Sequence, residues 1–353
     1  MKAVLVTCGL SDAKLSGKLA GLMSSCLVDR IILVRKHPLK GGKIVNVNPP
    51  VWIARSRILF EMWRFFLVLF YGYRHRVELF VGIQAQMHGS VAVLVAALLG
   101  AKSALWLIGS DLLIHSRHSV FAPIIRYSIR RSDTVFVMGD YSRQLVKEVC
   151  GRICRVFVLQ VVCKQGPMHR VDLPDKKWDL LFAGNLVDVK DPLAAISIFS
   201  RVHDVIPTAR FCMIGEGYLM DEIVKHIKCR GLQACVDVLG QVSEPLNYIG
   251  ASRLLIIPSK SEGLPSVLIE ASKLGVPVVA SLVGEITNLS QESSGIIGAA
   301  SGNTDSFVEP SLRLLLNENV YHRASDSILE FGISHCRKWS IENQKVVWEK
   351  AII

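Results

Sequence analysis

Short runs of β-branched and aliphatic residues recur along this chain, and their spacing constrains the fold more than any other feature. In the first half they are Ala3–Thr7, Arg30–Val34, Leu79–Ile83, Ser103–Leu107, Thr134–Met138 and Val156–Val161. These runs lack the apolar–polar alternation of a half-exposed strand, which marks strands covered on both faces. Helix-like segments lie between them, including Ser90–Leu99 and Tyr141–Val149. The pattern stops at a polar, proline-containing stretch, GPMHRVDLPDKKW (Gly166–Trp178), and then begins again. Strands are expected at Asp179–Ala183, Arg210–Ile214, Val236–Leu239, Arg253–Pro258 and Val276–Ala280. Helices are expected at Asp191–His203, Leu219–Arg230, Glu244–Gly250 and Pro265–Leu274.

Strands alternating with helices predict a right-handed, doubly wound parallel sheet. Two such series predict an α/β chain of two Rossmann-like domains facing across a cleft, residues 1–166 and 179–338. The final segment, 339–353, reads as a helix packing back on the first domain. At 353 residues the chain exceeds what one core comfortably holds. Ligands of doubly wound sheets bind beyond the carboxyl ends of the strands. Functional residues are therefore expected in the loops that follow strands.

Charge is unevenly divided. Residues 1–170 carry 24 Lys+Arg against 8 Asp+Glu, a balance of +16, and the remainder carries 17 against 22. The first half should meet an anionic surface or substrate. Nucleic acid is not expected, because no recognition motif accompanies the charge. Nine scattered cysteines without a CxxC pair suit buried thiols in a reducing compartment. MKAVLVTCGL reads as a first buried strand, its apolar stretch being too short for a signal peptide. A cytoplasmic protein is expected, peripheral on the inner face of the membrane. That last expectation comes from Trp52–Arg76, which mixes arginines with large aromatics, although its longest uncharged run, Phe65–Tyr73, cannot span a bilayer. Two readings stand for it: a helix covering the first sheet, and a face for an anionic membrane.

The most specific motif is IIPSKSEGLPSVLIEASKLGVPVVAS (Ile256–Ser281). A strand ends at Pro258, a loop carries Glu262 and Gly263, and Leu264–Pro265 opens a helix that contains Glu270. The backbone N–H groups over Leu264, Pro265 and Ser266, with the helix dipole, predict a diphosphate site. LLFAGNLVDVKDPLAAI (Leu180–Ile196) places Asn185 and Lys190 in another post-strand loop. FCMIGEGYLMDEI (Phe211–Ile223) carries Gly215 and Gly217, expected to let backbone approach a ligand closely. It lacks the third glycine of a dinucleotide fingerprint, which argues against a nicotinamide site. VLGQVSE (Val238–Glu244) adds Gln241 and Val242.

Taken in order over roughly residues 180–285, these segments resemble the GT-B retaining glycosyltransferases of the family-4-like group. Glu262 and Glu270 match that group's E-x7-E signature. The resemblance implies that Glu262 contacts donor-sugar hydroxyls near the reacting carbon and that Glu270 accepts hydrogen bonds from ribose hydroxyls. Lys190 would contact the donor phosphates. Asn185, Gly215, Gly217, Gln241, Val242, Gly263, Leu264, Pro265 and Ser266 would complete the donor site. The family arginine is replaced by Asn185, which adds no charge.

The first half matches less closely. LWLIGSDLL (Leu105–Leu113) resembles an element that usually reads His-Gly-Ser-Asp, with Ile108 at the histidine position. Gly109, Ser110 and Asp111 remain, with Asp111 placed beside Glu262 and Lys190 among the catalytic residues. Gly9 and His88 are the other acceptor-side candidates. No metal or cofactor is expected, since no Asp-x-Asp sequence is present. The resemblance implies a nucleotide-diphosphate sugar donor and a glycan or lipid-linked acceptor, in cell-surface polysaccharide synthesis. A nucleotide-sugar epimerase and a catalytically degenerate partner subunit are the alternatives.

Overall fold

Strands of the first sheet are β1 (Lys2–Thr7), β2 (Val28–Val34), β3 (Ile44–Val47), β4 (Leu79–Ile83), β5 (Lys102–Trp106), β6 (Thr134–Val137) and β7 (Arg155–Val158). Those of the second are β8 (Trp178–Ala183), β9 (Phe211–Ile214), β10 (Val236–Gly240), β11 (Ser252–Ile257), β12 (Val278–Ser281) and β13 (Ile296–Ala299). The structure is a computed structural model and describes residues 2–113, 121–150, 155–163, 168–170 and 176–353. Much of the linker expected over residues 166–178 lies outside the described residues. The chain divides into two units, Met1–Lys164 with Lys338–Ile353, and Gln165–Arg337.

Both sheets are parallel throughout. The first runs β3-β2-β1-β4-β5-β6-β7 and the second β10-β9-β8-β11-β12-β13. Residues Val4–Thr7 and all of β4, β6, β9 and β12 are buried, as strands covered on both faces must be. Strand order reverses between β1 and β4 in one sheet and between β8 and β11 in the other. At such a switch point the loops diverge to opposite faces and leave a crevice at the carboxyl ends.

Two strands escape the sequence reading. β3 (IVNV) is an edge strand with two exposed residues, so it never forms an apolar run. β13 (IIGA) carries Gly298, where a Cβ would come within 2.5 Å of Leu282 Cδ2, so close packing replaced a bulky residue there.

The final helix, Ile341–Ile352, belongs to the first unit. Ser340 caps it by accepting the Asn343 N–H at 3.3 Å. Gln344 donates to the carbonyls of Gly17 and Gln160, both at 2.9 Å, and accepts from the Gly21 N–H at 2.6 Å. Trp348 is fully buried against Trp106 (ring centroids 5.6 Å apart) and Phe136 (4.7 Å). Gly21 lets the two helix backbones meet, for a Cβ there would lie 2.5 Å from the Lys345 nitrogen.

Helix Arg57–Arg74 packs one face inward and leaves large apolar side chains on the other. Arg64, Val68 and Gly72 face inward, and a Cβ at Gly72 would strike the Phe80 ring. Met62, Phe66, Phe70 and Tyr73 are exposed on the other side, at 54%, 60%, 58% and 78%. Among the described residues no helix is long and apolar enough to cross a membrane.

Candidate functional site

In the second unit the loops after β8 and β11 meet at the switch point. After β8 the chain makes a 3-10 turn, Asp188–Lys190, and enters helix Pro192–Val205. Asp191 turns the corner with φ +50° and caps that helix by accepting the Ala194 N–H. After β11 the loop descends through Ser259, Lys260 and Glu262 to helix Ser266–Lys273. The Lys260 N–H donates to the Val189 carbonyl at 2.9 Å, and its ammonium lies 3.3 Å from Asp191.

These ties set the central pair. Lys190 Nζ lies 2.5 Å from Glu262 Oε1, and Ser259 Oγ donates to the same oxygen at 2.8 Å. Glu262 is 7% exposed and Lys190 29%. Burial makes an unpaired carboxylate costly, and here the ammonium and the hydroxyl together partner and orient Glu262. Both bonds fall on Oε1, which leaves Oε2 for a ligand hydroxyl. Glu270 lies in the second turn of helix Ser266–Lys273, half-buried.

That helix begins one residue later than expected. Pro265 occupies the N-cap, with φ −71° and ψ 120°, and has no N–H to offer. The backbone N–H groups open at this helix start are therefore those of Leu264, Ser266 and Val267, with the helix dipole behind them. The Gly263 carbonyl accepts the Glu285 N–H at 3.2 Å, tying this turn to the loop after β12.

Gly215 and Gly217 bring two post-strand loops into close contact. At Gly215, φ is +135°, and a Cβ would collide with the Gly184 carbonyl. At Gly217 it would collide with the Leu186 backbone. These glycines let the β8 and β9 loops lock together, with Leu186 N–H donating to the Glu216 carbonyl at 2.8 Å. Tyr218 completes the clamp through a 2.5 Å bond to Asp188. Asn185 is exposed beside them, and Gln241 and Val242 follow edge strand β10. Ser259, Tyr218 and Lys260 were missed, although the serine three residues before Glu262 was a readable signal.

In the first unit the acceptor-side candidates surround the other switch point. Gly9 follows β1, and His88 sits in a π-helical turn, Ala85–Gly89, that follows β4. A Cβ on Gly9 would lie 2.8 Å from His88 Nε2 and 3.1 Å from Gln84 Oε1. Thr7 Oγ1 lies 3.4 Å from His88 Nδ1. Burial first, and the charge of Arg64 second, push the His88 pKa down to about 3, so its imidazole is neutral.

Gly109, Ser110 and Asp111 open the short helix Gly109–Leu113 after β5; the Ser110 side chain lies outside the described residues. Asp111, expected among the catalytic groups, is 2% exposed and turned inward. Its Oδ2 accepts the Ile108 N–H at 3.0 Å, closing its own loop. Burial raises its pKa to about 6, against the lowering effect of the backbone bonds and of Lys18. Lys18 had no place in the sequence reading. It is 3% exposed, with Nζ 3.9 Å above the Trp106 ring and 3.6 Å from Met138 Sδ.

Residues 168–329 match the family model of glycosyl transferases group 1. Two uncharacterized glycosyltransferases of Methanocaldococcus jannaschii, MJ1059 and MJ1178, are 32% and 23% identical to the chain. They align over 28% and 75% of this chain and 24% and 70% of their own lengths. The Escherichia coli UDP-Gal:alpha-D-GlcNAc-diphosphoundecaprenol alpha-1,3-galactosyltransferase is 24% identical over 46% of this chain and 41% of its own. Of these three, only MJ1178 is matched over more than half its length. The Anabaena protein Alr3699/HepE, solved in complex with UDP, superposes with a TM-score of 0.79 over 100% of both chains at 13% identity. The two-sheet architecture is the GT-B fold seen in HepE, and within it residues 168–329 of the second unit are similar to the glycosyl transferases group 1.

Proposed function

We propose that this protein transfers a sugar from a UDP-type donor to a glycan or lipid-linked acceptor in surface-polysaccharide synthesis, with retention of anomeric configuration. The observation that carries this reading is the Lys190–Glu262 pair at the β8–β11 switch point, beside the start of helix Ser266–Lys273. A diphosphate at that helix start draws Lys190 away from Glu262 Oε1. The freed carboxylate then accepts hydroxyls of the donor sugar, and Glu270 accepts those of the ribose. As the bond from the anomeric carbon to the diphosphate oxygen breaks, Lys190 and the helix dipole stabilise the charge that develops on the leaving group. The acceptor oxygen bonds to the same face of that carbon, and its proton passes to the departing diphosphate.

The donor type is supported by the UDP held by HepE and the UDP-Gal named for the E. coli relative. The acceptor class is supported by that relative's diphosphoundecaprenol substrate. Exposed Met62, Phe66, Phe70 and Tyr73, flanked by Arg55, Arg74 and Arg76, suit the surface of an anionic membrane where such a lipid resides. Phe66→Asp with Phe70→Asp should release the protein from vesicles containing anionic lipid, and undiminished binding would remove the membrane from this reading. Ile108 and Asn185 favour a second reading, a catalytically degenerate partner subunit, which would turn over no donor.

The test is turnover of a panel of nucleotide sugars by Lys190→Ala and Glu270→Ala variants. Each should lose about 10²–10³-fold in kcat, as removal of a group stabilising transition-state charge does. Full activity in both would sink the assignment. Since positive potential here comes from Lys190 and a helix start, transfer should survive a chelator.

A further inference from the structure

Around the β1–β4 switch point, buried donors outnumber the acceptors that meet them. Arg35, just past β2, is 3% exposed; its Nη2 holds Asp12 at 2.6 Å, while Nη1 is buried with no hydrogen-bond partner among the described residues. Arg64, reaching in from helix Arg57–Arg74, is 2% exposed. Its Nη1 holds Glu61 at 2.5 Å, while Nε is likewise buried without a partner. Gln86 Nε2, in the π-helical turn after β4, is a third buried donor in the same state. Both guanidinium groups lie within Coulombic reach of Cys8 at the end of β1, and Arg64 within reach of His88. Single orphaned guanidinium nitrogens occur also at Arg143, in helix Asp140–Cys150, and at Arg253, in β11.

A buried N–H without an acceptor is costly, and more so when the group is charged. A protein that keeps three near one crevice is arranged for something that brings lone pairs. The backbone there is also strained: Gln84, with φ +78°, caps a π-helical turn of the kind that concentrates at functional sites. Neutral His88 adds no charge of its own, so the positive potential is that of the arginines, and a guanidinium offers paired donors matched to phosphate or carboxylate. The excess of +16 in the first 170 residues has the same sign.

We infer that the carboxyl ends of β1, β2 and β4 form an anion-binding subsite for phosphate or carboxylate oxygens, with Arg35, Arg64 and Gln86 as its donors. Existence of the subsite is independent of the transferase reading. Its assignment to a phosphate group of the acceptor rests on that reading, and explains how a domain with Ile108 in place of a histidine holds its substrate.

The test titrates inorganic pyrophosphate, by calorimetry, into the full chain already saturated with UDP. A separate saturable binding event should appear with UDP in place, weakened about tenfold or more in Arg35→Gln and in Arg64→Gln. Gln86→Leu removes one neutral donor without exposing a charge, and should weaken binding about fivefold in a chain that melts like the parent. Binding that vanishes when UDP is present, or that is unchanged in Gln86→Leu and whichever arginine variants fold, overturns the subsite. Farnesyl diphosphate as a second probe separates sources. Tighter binding than pyrophosphate assigns the anion to a lipid-linked acceptor, and equal binding keeps the subsite while taking the lipid out of it. A chain that binds pyrophosphate this way yet transfers no sugar would sink the transferase reading and leave the subsite standing.

Discussion

At the β8–β11 switch point the charged side chains are matched to one another, Lys190 and Ser259 both meeting Glu262, while at the β1–β4 switch point Arg35, Arg64 and Gln86 keep buried donors unmet. Both sites follow from the same topology, in which reversal of strand order opens a crevice. They differ in how the loops are held. The loops of the second unit are cross-braced by Tyr218–Asp188, Lys260–Asp191 and the glycine contacts at Gly215 and Gly217. Those of the first are braced to the core below them, Asp111 by its own backbone and the end of the sheet by the returning C-terminal helix. A site braced across its loops can hold reacting groups in register before a ligand arrives. One with unmet donors gains its last hydrogen bonds only from the ligand.

The largest expected effect tests this contrast with two carboxylates. Glu262→Gln keeps the shape but removes the charge that Lys190 and Ser259 orient, so kcat should fall about 10²–10³-fold. Asp111→Asn keeps an oxygen for the Ile108 N–H that the buried carboxylate now accepts, so transfer should change by less than about tenfold. Steady-state rates of both variants with one donor and acceptor pair decide it. A larger loss from Asp111→Asn than from Glu262→Gln would overturn the division of roles drawn between the two units.

The next effect concerns the bracing of the first unit. Trp348→Ala empties a site between Trp106 and Phe136, and a buried Trp→Ala change costs about 3–5 kcal/mol. Urea unfolding should show that loss, while UDP affinity, which the proposed function places in the second unit, stays within a factor of about two of the parent. UDP affinity falling in step with stability would mean that the two units do not keep separate accounts of their packing.

Much of this architecture was legible in the sequence, because a strand buried on both faces must be an uninterrupted apolar run. β4 was placed to the residue, and β1, β2, β8 and β11 to within two. Lys190, Glu262 and Glu270 were singled out through the resemblance of their segments, and the fold brings Lys190 and Glu262 together. What stayed hidden depended on contacts between distant segments. Nothing local to Gly215 says that its missing Cβ makes room for the Gly184 carbonyl, nor does anything near Asp111 say that its carboxylate turns inward. Arg35 and Arg64 looked like two members of a basic half, and only the fold brings both within reach of Cys8. Edge strand β3 was missed because a strand with one open side needs no apolar run.

The smallest expected effect contrasts the two lysines, Lys190 half-buried against a carboxylate and Lys18 buried over Trp106. Burial, the largest influence on Lys18, lowers its pKa from 10.5 to about 7, although Asp111 pulls the other way. Between those values the unfolded chain holds a proton that the folded chain lacks, so stability rises with pH through that window. Below it two groups oppose one another. Asp111, raised to about 6, makes stability fall as pH rises from about 4 to 6, whereas His88, lowered to about 3, makes it rise from about 3 to 6.5. Above pH 9 the buried thiols of Cys8 and Cys212, both raised, make stability fall again. The clear window is therefore pH 7 to 9, where one proton contributes at most about 1.4 kcal/mol per pH unit. Chemical denaturation across that window should show the rise in the parent chain. Lys18→Met keeps a flexible apolar side chain against Trp106 and Met138 and has no proton to lose, so its curve should be flat. A rise that persists in Lys18→Met would place the titrating group elsewhere and leave Lys18 charged over the Trp106 ring.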